Sequence, residues 1–515
     1  MKPILSLLAS SMIAAAALAA ASPPAAPIHP VVDDYFGTKV TDNYRWMENL
    51  EDPEMQRWMK AQADYTRKVL DALPGYSALM KRVDELNESQ PAEVTSVEIV
   101  GGRYYSLRTP KGAQSPKLYV RDGVHGTDRL LIDPEKIAGN DRAHFSLHSY
   151  RPSPDGRYIA YDIAAGGSEQ SVLHVLDVAA GRDLAETDPR SSSDAPFWRA
   201  DSRSFFHTRH QVLKPGMPQT AKYQNARAEL HLLGHPFDDD VPLVGRGVSD
   251  ATIPLKPVEY PEIVTAPGSH YAIAFVSPGS DQRLRIYAAP LAAIGSGKTA
   301  WRAIAASYDD EYIGGDNSDV PVIALRGDML YWLSRKSAPR GEILELDLGK
   351  PDSKPEVVVS QGELPISEVY AGRDAIYWRV SDAGTNGIHR LRPDNGATPE
   401  ALTLPYAGDV ADVVPDSAGS DVALLVNSYL RSPAWLGVDP NTGVVRDTGL
   451  QPNGPFDHPE NLEVDEVKVA SADGMEVPLT IVHKKNIRLD GDNVAMITGY
   501  GAYGLSWSPL YVPAM

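Results

Sequence analysis

Seven times between about Pro91 and Gly454 the chain repeats one unit. A turn carrying Gly or Asp leads into an aromatic-rich strand; after a gap of roughly 10 to 25 residues comes a second strand, often followed by Asp and Gly. The first members lie at 104–105, 158–161, 204–206, 271–275, 329–332, 375–378 and 422–425, and their partners at 118–120, 173–177, 230–233, 284–287, 343–347, 388–391 and 435–439. Units recur every 45 to 70 residues or so, with no helical stretch between them. A single unit of this kind cannot bury its faces alone, so neighbours must stack radially or in a row. A linear β-sandwich array is the rival. The regular count favours one ring, and the spacing predicts a mainly β chain with a seven-bladed β-propeller over residues 89–457.

The flanks read differently. Asp52 and Pro53 form a helix start, and Met55, Trp58, Met59, Gln62, Tyr65 and Val69 then recur at helical spacing. Pro74-Gly75 stops that helix, and Leu79, Met80, Val83 and Leu86 continue the pattern in a second one, giving a helical segment over residues 28–88. Trp58 and Tyr65 could stack on a ligand, but at this spacing they read as core. After the repeats, Val467 and Val469 alternate on one strand and Val477, Leu479 and Ile481 on the next, joined by an Asp473-Gly474 turn. A third strand is expected at 494–498, running into Gly499-Tyr500-Gly501-Ala502-Tyr503-Gly504. Strands leading into a glycine-rich loop are how an α/β-hydrolase domain opens, and the loop after its third strand helps form the oxyanion hole. Residues 460–515 are therefore expected to be the start of such a domain.

Ser471-Ala-Asp-Gly-Met-Glu-Val-Pro478 and the Gly499–Gly504 loop resemble the opening of the peptidase domain in the prolyl oligopeptidase family of serine peptidases. The block from Asp33 to Glu48, followed by the helix at Asp52-Pro53, resembles that family's N-terminus. The resemblance is specific at both ends and architectural between them, where the family carries a seven-bladed propeller. It implies a propeller that covers the active site and admits short peptides, and a serine that attacks the bond after proline. It further implies that Tyr500 donates its hydroxyl to the oxyanion and that Tyr503 lines the proline-binding S1 pocket. The nucleophile, aspartate and histidine that the family places after this loop are not found among these residues. The expectation is an N-terminal portion truncated before the catalytic triad, inactive alone.

Other chemistries find little support. A net charge of −19 argues against nucleic acid as a partner, and with no cysteine there is no disulfide framework or thiol nucleophile. Gly295-Ser-Gly-Lys-Thr299 imitates the end of a phosphate-binding loop, but Ala292 stands where the required glycine belongs. His144/His148 and His231/His235 have the spacing of a helical metal pair, yet both fall in strand or loop, where such residues stand ~13 Å apart. Asp238-Asp239-Asp240 lacks the alternation of a calcium loop and reads as a solvated turn. Ser249, Ser506 and Ser508 lack the closing glycine of a nucleophile elbow, Ser168 lies between strands, and His483 comes too early for a triad histidine.

Lys2, the apolar run from Ile4 to Ala21 and the small residues Ala17-Leu18-Ala19 or Ala19-Ala20-Ala21 predict a cleavable signal peptide over residues 1–21. The protein is thus expected to be secreted or periplasmic, free of the membrane after cleavage, monomeric, and without metal or organic cofactor. Two alternatives stand beside the prolyl peptidase: a basic-residue-specific oligopeptidase of the same superfamily, and a non-enzymatic periplasmic β-propeller binding module.

Overall fold

Val-, Ile- and aromatic-rich runs bounded by Gly and Asp turns fold into seven four-stranded antiparallel sheets, each an up-and-down meander in chain order. The computed structural model describes residues 22–513 apart from 138–143, 169, 193, 280–282, 296, 309–322, 394–397, 501–506 and 512. The expected signal peptide therefore lies outside the described residues. The chain divides into two units, Met1–Asn87 and Glu88–Pro513.

In the first unit a hairpin (Val31–Tyr35 with Thr38–Asp42) precedes helix α1, Pro53–Ala72, and helix α2, Tyr76–Asn87. The Asp52 side chain caps α1 by accepting from the Glu54 amide at 2.7 Å, as Pro53 in the first turn suits. Trp58 packs edge-on against Trp46, and its indole N–H donates to the Pro24 carbonyl, so it holds the segment together instead of presenting a stacking face. Met59, Leu79 and Met80 remain exposed, leaving an apolar stripe along the helices.

The second unit holds the ring. Blade 1 comprises Ala92–Val100, Arg103–Pro110, Lys117–Asp122 and Arg129–Ile132, and blade 7 comprises Asp409–Pro415, Val422–Asn427, Ala434–Val438 and Val445–Asp447. First strands of neighbouring blades touch one another (blade 7 with 1, 1 with 2, 5 with 6, 6 with 7), which places them innermost. Every sequence-predicted strand pair forms the second and third strands of a blade. These middle strands are buried on both faces, which is why their apolar runs are continuous.

Buried clusters fill each seam of the ring. They join blades 1 and 2, 2 and 3, 3 and 4, 4 to 6, 6 and 7, and finally 7 and 1. As at the other seams, no strand is shared across the last one, and here the chain itself does not pass from blade to blade. Side chains close it instead: the Trp435 indole donates to the Val94 carbonyl at 3.0 Å, and Gln451 bridges the Val94 amide and the Ala92 carbonyl, each at 2.8 Å. Gly101 and Gly102, both at positive φ, turn their amides onto the two oxygens of Asp416 at 2.7 Å each, a bend that L side chains resist. Gln90 and Asp457 pair at 2.6 Å just outside the seam.

Beyond the ring, Leu462–Ala470 and Glu476–Lys484 form the expected hairpin, with Gly474 at φ +85° in its turn. The third strand expected at 494–498 does not form: the backbone there has no ladder partner, and Val494, Met496 and Ile497 are 81–103% exposed. A buried strand needs a sheet on both sides, and among the described residues none is present for it.

Candidate functional site

Two residues beyond the ring, His483 and Tyr500, offer polar chemistry. His483 Nε2 bonds the Asp465 carboxylate at 2.9 Å and its Nδ1 meets the Lys484 carbonyl, contacts that raise its pKa. Both partners are cross-strand or local, so this histidine organises the hairpin. Tyr500 ends the extended stretch and is 51% exposed. Tyr503 and Ser506 lie outside the described residues.

The serines of the glycine patterns are engaged in backbone turns. Ser249 is buried, donates to the Ile253 carbonyl at 2.9 Å and accepts from the Gly245 amide. Ser168 turns back on Gln170. Neither hydroxyl stands on an exposed, strained elbow.

The inner wall of the ring is charged. Bulges in the first strands of blades 1, 2, 6 and 7 break their alternation and re-aim their side chains. Glu98 of blade 1 lies 3.7 Å from Arg151 of blade 2. Glu368 of blade 6 accepts from Arg379 at 2.6 Å and from the Tyr370 hydroxyl, and Arg379 also reaches the Ala411 carbonyl of blade 7. Burial pushes Glu98, Glu368 and Asp412 above the usual carboxylate range, opposed by the neighbouring guanidinium groups.

A second polar centre sits inside blade 3, whose strands are Phe197–Trp198, Ser204–Arg209, Arg227–Leu232 and Val241–Val244. The antiparallel register sets His207 directly opposite Glu229, and Phe205 opposite His231. The turn ahead of the fourth strand brings in Asp240, whose two oxygens meet His207 Nε2 and His231 Nδ1 at 2.7 Å each. Arg209 grips Asp188 with two hydrogen bonds of 2.8 and 2.9 Å and reaches Glu229 at 3.3 Å. Phe237 stacks on the His231 ring at 3.9 Å. Burial pushes the Glu229 carboxyl upward, and it acts on Asp240 the same way, but there the two histidine hydrogen bonds win and hold the carboxyl below its usual range.

The sequence reading discounted two parts of this cluster. His231 and His235 do not converge, as expected of a strand pair, and His144 and His148 are both exposed. Asp238 and Asp239 are exposed as expected of a solvated turn, but the Asp240 side chain is only 2% exposed. The correction has a simple cause: the Phe237–Asp239 turn folds the last acid inward as the fourth strand starts. His207 was missed because its partners come from other strands, 22 and 33 residues away, a relation that only the ladder register supplies.

Residues 23–447 match the family model described as prolyl oligopeptidase, N-terminal beta-propeller domain. Prolyl endopeptidase of Elizabethkingia meningoseptica is 24% identical over 93% of this chain and 64% of its own length. Prolyl oligopeptidase A of Galerina marginata (strain CBS 339.88) is 24% identical over 92% of this chain and 65% of its own. The chain thus spans a little under two thirds of the length of these relatives. Prolyl oligopeptidase B from Galerina marginata, solved with a 25mer macrocyclization substrate, superposes with a TM-score of 0.78 at 18% identity, covering 95% of this chain and 69% of that one. A solved structure from an analysis of two prolyl endopeptidases gives 0.75 at 23% identity, covering 91% and 65%.

Proposed function

The chain belongs to the prolyl oligopeptidase family, and from that premise we propose that its 515 residues form the propeller-bearing N-terminal portion of a secreted serine endopeptidase that cleaves short peptides after proline. The observation that carries the reading is the ring itself, seven blades matched by the family's propeller over residues 23–447 and followed by a hydrolase-like hairpin. In this reading the ring admits substrate along its charged inner wall and excludes folded chains. Tyr500 donates to the oxyanion, Tyr503 lines the proline pocket, and residues 460–515 begin the catalytic domain. Secretion rests on Lys2 and the apolar run behind it, cut before residue 22.

The 515 residues alone contain no Gly-x-Ser-x-Gly elbow followed by Asp and His, so they are expected to be inert. Purified to homogeneity, they should leave a fluorogenic prolyl peptide uncut, and measurable turnover would overturn this. In a protein that also carries the triad, Tyr500→Phe should lower kcat about 10²- to 10³-fold with little change in KM. An unaltered kcat would remove Tyr500 from the oxyanion site. A substrate panel with proline, arginine or lysine before the scissile bond separates this proposal from the basic-residue-specific alternative.

A further inference from the structure

We infer that blade 3 contains a binding site for a divalent metal ion of the zinc class, with His207 Nε2, Glu229 and Asp240 as its ligands. The candidate donor atoms of these three residues all lie within 4.8 Å of one another, a separation that small side-chain shifts convert to coordination. The His207 and Asp240 side chains are 3% and 2% exposed, and that of Glu229 is 10%. Imidazole with carboxylate is a donor set suited to zinc and its neighbours, not to calcium, which takes oxygen ligands throughout.

Charge balance supplies the first argument. Asp188, Glu229 and Asp240 are three carboxylates gathered around one buried guanidinium, that of Arg209, and the two imidazoles of His207 and His231. Asp238 is exposed and is shared between Arg190 at 3.0 Å and Arg209 at 3.2 Å, which leaves Arg209 still further outnumbered by acids. Burying acids in excess of fixed cations is costly, and a divalent cation offsets that excess.

The second argument is a bare ring nitrogen. His207 Nδ1 is buried and has no hydrogen-bond partner, yet it stands 3.8 Å from a fully buried oxygen of Asp188. With the ring proton on Nε2 for Asp240, the Nδ1 lone pair faces a carboxylate, an unfavourable arrangement. A metal on Nε2 reverses this. The ring keeps one proton, now on Nδ1, and that N–H points at Asp188. The result is the carboxylate–histidine–metal arrangement that orients ligating histidines. His231 and Arg209 complete the surroundings, donating to Asp240 and Glu229 in turn.

The test uses the full 515-residue protein, dialysed against a chelator and then titrated with Zn²⁺ alone, with bound metal measured by mass spectrometry and thermal midpoint followed in parallel. One zinc ion per chain is expected, with a raised midpoint. Glu229→Gln and His207→Ala should abolish stoichiometric binding, whereas His235→Ala should leave it intact. Asp188→Asn should weaken zinc by about 10- to 100-fold while retaining the site. Glu229→Gln is close to isosteric, so its folding can be verified by circular dichroism before binding is read. The inference is overturned if the parent protein takes up no zinc, which would leave histidine protonation to balance the charge. It is equally overturned if binding survives in both Glu229→Gln and His207→Ala, which would place the metal elsewhere.

Discussion

Asp162, on the second strand of blade 2, sits under three serine hydroxyls, those of Ser149, Ser171 and Ser191. Burial nevertheless dominates and pushes its carboxyl from 3.8 up to about 6. A raised acid of this kind stabilises the fold below its unfolded pKa, and that contribution is lost as pH rises through the folded value. Relative to the parent, Asp162→Asn should therefore gain stability between about pH 4 and pH 7, by on the order of 3 kcal/mol. Thermal midpoints of the two proteins across that range would measure it, and a difference independent of pH would refute it. Residue-level chemistry of this sort was scarcely legible in the sequence. The serines and Asp162 are spread over four chain segments, and Asp240 looked like surface because its neighbours Asp238 and Asp239 are surface. What could be read locally was local: the Asp52 cap and the Asp473-Gly474 turn depend only on adjacent residues, and both form as expected.

Elements were legible in proportion to their burial on both faces. Strands such as Tyr158–Ala165 and Met329–Ser334 lie between neighbouring blades and read as unbroken apolar runs. The fourth strands are two to four residues long, Arg182–Asp183 being the shortest kind, and bulges in four of the first strands shift their alternation, so neither set offers a long regular period. The C-terminal hairpin gives the converse lesson. Its pattern predicted two strands correctly, but pattern alone could not supply the sheet that the stretch 494–498 needs. Register puts Val467, Val469, Val477, Leu479 and Ile481 on one face, and all are 40–49% exposed. An isolated two-stranded hairpin is marginal in water. In the 515-residue protein its amides should exchange with deuterium well before those of the middle blade strands, as mass spectrometry of peptic fragments can follow. Protection equal to the blades would mean that the apolar face is covered.

At the scale of the molecule, the ring is closed at one seam that, unlike the other six, the chain does not cross. There a glutamine does what a shared strand might do, supplying a donor and an acceptor to blade 1 through Gln451. Gln451→Ala would strand the Val94 amide and the Ala92 carbonyl in a buried position, at a cost of roughly 2 to 4 kcal/mol. The thermal midpoint should fall, and faster exchange should be concentrated in 92–100 and 434–451, not spread around the ring. A uniform loss of protection would show that the seam is no weaker than its neighbours. Because Gln90 and Asp457 are hydrogen-bonded to each other, the chain enters and leaves the ring at a single point. Seen from outside, some 370 residues then act as a prefolded loop whose two ends are already joined, as a clasp joins a bracelet. Whatever domain is built from the flanking segments is therefore spared most of the entropy of closing so long an insertion, and the propeller can be carried as an accessory without loosening its host.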